Sequence, residues 1–171
     1  MLSVRTMTAQ RQEGICRTFA LVTLLAGFFA VFHPLASAAA TTERVVVNRF
    51  SGLAIEGFDP VAYFVEGHPV RGLPDIELMQ GGAVWRFHNE GDRAFFAEHP
   101  EIYGPQFGGY DPTEVARGVT QAGNPLFFVV ADQRLYLFSR EASRDAFAAD
   151  PDRFLAQANA RWPELERGLA Q

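Results

Sequence analysis

Uncharged apolar residues fill positions 18–32 (TFALVTLLAGFFAVF) without a break, and no later run matches that one. Beyond it the apolar positions come in short groups separated by Gly, Pro, Asp and Asn, the punctuation of a small folded domain. Val45-Val46-Val47 reads as a first strand or a linker. Residues 61–65 (VAYFV) read as a strand, entered by a Gly57-Phe58-Asp59-Pro60 turn and left by Glu66-Gly67-His68-Pro69. Residues 76–79 form a weaker strand, and residues 83–87 a second one after a Gly81-Gly82 turn. Residues 90–99 read as a helix and 105–112 as a Gly- and Pro-rich loop. Residues 126–130 and 134–138 make a hairpin around Ala131-Asp132-Gln133. Residues 141–149 are helical. Residues 151–160 and 163–169 are further helical pieces, each with Pro in the first turn, where its missing N–H costs nothing.

The long apolar run has the flanks of an address. Arg5, Arg11 and Arg17 precede it, against the single acid Glu13; His33-Pro34 ends it, and Ala36-Ser37-Ala38 follows. This order predicts a secretory signal peptide cut after Ala38, or else after Ala40. The run is shorter than the ~20 residues of a membrane span, so no stable span is expected after cleavage. Residues 1–38 are thus expected to be a signal peptide, 39–50 a short lead and 51–171 the domain. The product would be periplasmic or secreted. Cys16 is the sole cysteine and lies ahead of the apolar core, where no lipid anchor is built. Cleavage would remove it, excluding disulfides, thiol catalysis and thiolate metal ligation.

A repeat organises the rest. Residues 87–103 can be laid on 138–154: Phe87 on Phe138, Glu90 on Glu141, Arg93 on Arg144, Phe96 on Phe147, Pro100 on Pro151, and Tyr103 on Phe154. Each copy is a strand ending in Phe, a capped helix, then a Pro-started turn ending in an aromatic. Asn89 and Ser139 are the expected N-caps. The predicted class is α+β: a small antiparallel sheet with helices packed on one face, built from two echoed strand–helix units.

Composition adds exclusions. The chain has 171 residues, enough for one domain. All 15 basic residues are Arg, the formal net charge is −5, and no basic run exists, so no nucleic-acid partner is expected. There is no G-x-S-x-G, H-E-x-x-H, phosphate-binding loop or dinucleotide fingerprint. A non-enzymatic binding protein is therefore expected.

Phe87-His88-Asn89-Glu90-Gly91-Asp92-Arg93-Ala94-Phe95-Phe96 followed by Pro100-Glu101-Ile102-Tyr103 resembles the YHS domain pattern. Gly57-Phe58-Asp59-Pro60-Val61-Ala62-Tyr63-Phe64, Trp85-Arg86-Phe87, Tyr103-Gly104-Pro105-Gln106-Phe107-Gly108-Gly109-Tyr110 and Ala160-Arg161-Trp162-Pro163-Glu164-Leu165 are similar to exported bacterial YHS proteins. The likeness runs from about Ser51 to about Leu165. It implies a small metal-binding module whose ligands are cysteines. Here His88 and Asp92 stand at the two motif cysteines, and Asp111 stands where the exported branch commonly has another.

His88 and Asp92, four apart at a helix start, share a face and can pinch one ion, with Asp111 as a third, hard ligand. Such a set suits a divalent metal such as Zn, Cu(II) or Ni rather than Cu(I). The plainer reading makes Asp92 a first-turn carboxylate favoured by the helix dipole and Asp111 an Asp-Pro turn residue. Asp59, Tyr63 and Tyr110 would line a pocket beside the Gly-rich loop, or else serve as turn and core residues. His68 and His99, each before a Pro, read as surface histidines, and Trp85 and Trp162 as core or docking aromatics. The alternative to metal binding is a metal-free interaction or structural module with an exported protein partner.

Overall fold

A computed structural model describes residues 43–169, so the expected signal peptide lies outside the described residues. The fold is α+β. In chain order come a left-handed turn at Ile55–Gly57, α1 (Ala62–Val65), β1 (Leu73–Gln80), β2 (Ala83–Phe87), α2 (Glu90–Glu98) and α3 (Pro100–Tyr103). The same series then recurs. A turn at Gln106–Gly109 is followed by α4 (Pro112–Val115), β3 (Asn124–Ala131), β4 (Arg134–Phe138), α5 (Glu141–Ala149) and α6 (Pro151–Arg167). Among the described residues, no helix is long and apolar enough to cross a membrane.

The repeat is deeper than residues 87–103 disclose. Ile55, Glu56 and Gly57 have φ of 42°, 54° and 76°; Phe107, Gly108 and Gly109 have 54°, 62° and 89°. Each left-handed turn leads into aromatic-Asp-Pro: Phe58-Asp59-Pro60 and Tyr110-Asp111-Pro112. A β-branched residue such as Ile55 rarely enters this region, so its turn is held by what surrounds it. Asp59 N–H donates to Val70 O, and Asp111 N–H to Gln121 O, both at 2.8 Å. Gly72 N–H donates to Gly57 O, and Gly123 N–H to Gly109 O.

The strands repeat as well. The expected single sheet is divided into two hairpins, β1–β2 and β3–β4, each antiparallel. Both have the same irregularity: Leu73 pairs with Phe87 and Glu77 with Arg86, as Asn124 pairs with Phe138 and Phe128 with Leu137. Pro74 and Pro125 fall inside these bulges, where a strand tolerates a missing donor. Both hairpin turns use two left-handed residues, Gly81-Gly82 and Asp132-Gln133, the geometry that matches strand twist.

Gly72 and Gly123 close each bulge against the partner strand. A Cβ on Gly72 would lie 2.5 Å from the Arg86 carbonyl carbon, and one on Gly123 2.6 Å from Leu137 Cβ. Gly72→Ala is therefore expected to cost about 1–3 kcal/mol, the usual penalty of overpacking. Urea unfolding checks it, and Gly123→Ala should behave alike.

Two aromatic cores fill the repeats. Phe96 of α2 meets Trp85 and Phe87 with ring centres 4.7 and 5.4 Å away; Phe147 of α5 meets Tyr136 and Phe138, both at 5.1 Å. β4 is buried on both faces. Leu135 and Leu137 belong to the first core, while Tyr136 and Phe138 belong to the second. Phe128 likewise crosses over, its ring 4.9 Å from Tyr63. The lead segment threads between the cores: Val45 and Val47 pack on the first, Val46 on the second, and Val46 N–H donates to Gly108 O.

Three local expectations are corrected. Residues 62–65 are a helical turn, not a strand, because Asp59 Oδ1 accepts the Val61 N–H and starts a turn that Pro60 continues. An apolar run this short carries no period to distinguish the two. The two C-terminal helical pieces are one helix, α6, with Pro163 inside it; the ring removes one bond, and Trp162 and Leu165 keep their places on the second core. The N-cap of α5 is Arg140, not Ser139, and no side chain caps it. Asn89 caps α2 as expected, its Oδ1 accepting from Asp92 N–H.

Candidate functional site

Asp59 and Asp111 are wholly buried carboxylates in equivalent places. Each ties its left-handed turn to the end of a strand. Asp111 Oδ1 accepts from the Thr113 N–H and hydroxyl; its Oδ2 accepts from the Ser139 N–H and hydroxyl, all at 2.7–2.9 Å. Asp59 Oδ1 accepts from Val61 N–H, and its Oδ2 from His88 N–H at 2.8 Å. The clamp is the same, but Ser139 of the second repeat is His88 in the first.

That histidine builds a cluster. His88 Nδ1 lies 2.8 Å from Asp59 Oδ2 and 2.9 Å from Asp92 Oδ2. Asn89 orders the rest. Its Oδ1 is committed to the Asp92 N–H, so its Nδ2 faces His88 Nε2 at 2.9 Å and Asp92 Oδ2 at 3.0 Å. Nε2 is then the acceptor and Nδ1 carries the proton, an assignment that follows from the hydrogen-bond network. One N–H thus faces two carboxylates. Burial and the neighbouring Asp59 carboxylate raise the Asp92 pKa, against the opposing pull of His88 and Asn89.

Asp59, His88 and Asp92 each offer one ligand atom, all within 4.8 Å of one another. His88 is 29% exposed at its side chain, so the cluster opens to solvent on one side. Asp92→Asn removes one of two facing carboxylates. It is expected to stabilise the metal-free protein by about 0.5–2 kcal/mol, a gain typical where a site is held under repulsion. Urea unfolding in the presence of a chelator measures it.

The expected ligand set is thus corrected in its third member. His88 and Asp92 meet, but Asp111 is not with them: both its oxygens are engaged by Thr113 and Ser139. Asp59, which the sequence places in a pocket, takes that position. The signal for it was the second Gly-aromatic-Asp-Pro, which marks Asp59 and Asp111 as counterparts rather than partners.

The pocket of Asp59, Tyr63 and Tyr110 is also corrected. All three are buried, and the tyrosines seal the two cores. Tyr63 donates to Pro125 O at 3.0 Å, and Tyr110 to Glu43 O at 2.6 Å. Burial, aided by the Asp59 charge, pushes the Tyr63 hydroxyl far above its usual pKa and keeps it protonated. His68 bonds Glu66 O and His99 faces Glu101, both at the surface. Arg93 and Arg144 pair with Glu90 and Glu141 on exposed helix faces. Trp85 and Trp162 pack in the first and second cores.

No family model matches this chain, and neither curated proteins nor solved structures give a match.

Proposed function

We propose that this protein is an exported, non-catalytic binding protein of the YHS type that holds one divalent metal ion between Asp59, His88 and Asp92. The observation that carries this reading is the contrast between the repeats. The second repeat clamps its turn with Asp111, Thr113 and Ser139, and has Ser143 where the first has Asp92. The fold therefore needs neither an imidazole nor a second carboxylate at these places. Their like-charge repulsion is a cost that a cation would relieve, taking the Nδ1 lone pair once the ring proton has moved to Nε2.

One imidazole and two carboxylates favour Zn(II) or Cu(II) over Cu(I). Tetrahedral zinc with bonds of about 2.0–2.2 Å spaces its ligand atoms about 3.3 Å apart. The ring and carboxylates would separate by roughly half an ångström on loading, and water would complete the shell from the open side. Asn89, bonded to Asp92 through both its Nδ2 and its Oδ1, would orient that ligand. The apolar run at 18–32 with Ala36-Ser37-Ala38 behind it supports export.

The test is metal content by mass spectrometry on protein recovered from an exporting host without chelator. The comparison is a double variant, His88→Ser with Asp92→Ser, which installs the second repeat's own residues. Near-stoichiometric metal in the wild type, lost in a variant that still folds, is the expected result. No metal in either, even after titration with zinc and copper salts, overturns the reading. It would leave the metal-free interaction module, which is favoured by a cluster already satisfied by its own hydrogen bonds.

A further inference from the structure

We propose that Asn89 makes the bound ion exchangeable: it holds His88 in the tautomer that a metal cannot use, and so lowers the affinity of the three ligands. The inference rests on the metal reading above and adds a residue outside the ligand set. A histidine that ligates through one ring nitrogen normally donates the other N–H to a carboxylate, a carbonyl or water, and that acceptor strengthens the metal bond. Here that support is reversed. The nitrogen that faces both carboxylates is Nδ1, at 2.8 and 2.9 Å. On the other side of the ring, Nε2 meets a donor, the Asn89 Nδ2 group, at 2.9 Å.

Loading at Nδ1 needs the ring proton on Nε2. One N–H bond breaks, another forms, and the ring stays neutral. Nε2–H then points at Nδ2–H, donor against donor, and the hydrogen bond that Asn89 gives to the empty site is gone. The amide cannot turn to help. Its Oδ1 accepts from the Asp92 N–H at 2.9 Å, and its Nδ2 also donates to Asp92 Oδ2 at 3.0 Å. A half-turn would set Nδ2 against the Asp92 N–H and Oδ1 against the Asp92 carboxylate, two new conflicts for one relieved. Nε2–H must instead turn to water on the open side, where His88 is part-exposed. Loading therefore costs the site a bond that it has when empty.

The second repeat shows that a helix in this place forms without such a cap. α5, like α2, runs nine residues, with Arg140 at its start and no side-chain cap. Gly91 adds to the contrast. A Cβ there would lie 3.0 Å from Asn89 Oδ1, and α5 has Ala142 at that position. Glycine is the poorer helix former, and here it gives the Asn89 amide room to stand beside the ring. Asn89 and Gly91 accompany His88; where Ser139 replaces the histidine, both are absent.

The test measures the zinc affinity of the full exported chain by competition with a chromophoric chelator, beside Asn89→Ser and Asn89→Asp. Serine keeps a capping oxygen and takes the donor away from Nε2. Zinc should bind Asn89→Ser about tenfold more tightly than wild type, the scale on which such supporting bonds act. Asn89→Asp, which places an acceptor beside Nε2, should exceed that. Nitrogen NMR of His88 in the zinc-bound wild type should show the proton on Nε2. Wild-type zinc binding that Asn89→Ser leaves equal or weakens overturns the inference while the metal reading stands. Tightening by Asn89→Asp alone does so too, because added charge explains it. So does a zinc-bound His88 with its proton still on Nδ1. Refusal of zinc by all three proteins overturns the inference, and the metal reading with it if copper is also refused.

Discussion

Asp111→Ala is expected to lower the stability of the folded protein by about 3–5 kcal/mol, a large share of what a domain this size possesses. The carboxylate is wholly buried and accepts four hydrogen bonds, two from the backbone N–H groups of Thr113 and Ser139 and two from their hydroxyls. Alanine leaves both N–H groups in a closed place without partners, at about 1–3 kcal/mol each. Asp111→Asn keeps the shape and should recover part of the loss. Chemical unfolding followed by circular dichroism measures both. A loss under about 1 kcal/mol would mean that water reaches the clamp and replaces the carboxylate.

Phe147→Ala is the second large effect, expected at about 3–5 kcal/mol. The ring is fully buried and touches Tyr136 and Phe138, and it lies 6.3 Å from Phe154 in a stacked arrangement. Its removal takes away the contact around which α5, β4 and α6 meet. Phe96→Ala, the counterpart in the first repeat, should cost a similar amount. Because β4 contributes to both cores, either variant should shift one cooperative transition rather than split it. Two separate transitions in a thermal scan would show that the cores melt independently.

Much of this fold was legible from residue spacing. The helix at Glu90–Glu98 and its copy at Glu141–Ala149 were marked by Phe96, Phe147 and the Pro that follows each, and the hairpins by their apolar runs and turn residues. The class followed from the two units. The bulges were not legible, because they rest on a glycine pressed against a partner strand that sequence distance hides. The helical turn at Ala62–Val65 is not legible, since a five-residue apolar run looks the same in either conformation and the deciding contact is a carboxylate two residues upstream of it.

The site was half legible. His88 and Asp92 four apart on a helix start do meet, as that spacing dictates. Asp59 was within reach through its own motif, Gly-aromatic-Asp-Pro, which occurs again at Asp111. In the sequence the repeat is plain only from Phe87 onward, so the two aspartates do not stand out as equivalents.

The crossing of β4 between the cores bears on the order in which the chain can be completed. Leu135 and Leu137 close the core of a repeat whose own last element ends at Tyr103. A polypeptide made from its N-terminus has the first hairpin and α2 in hand well before those leucines exist. Until they arrive, Trp85, Phe87 and Phe96 have one side uncovered. The first half of the molecule must therefore wait for the second, and a chain stopped after Tyr103 has nothing to finish against. The two similar halves are not two domains, because one strand supplies the cores of both.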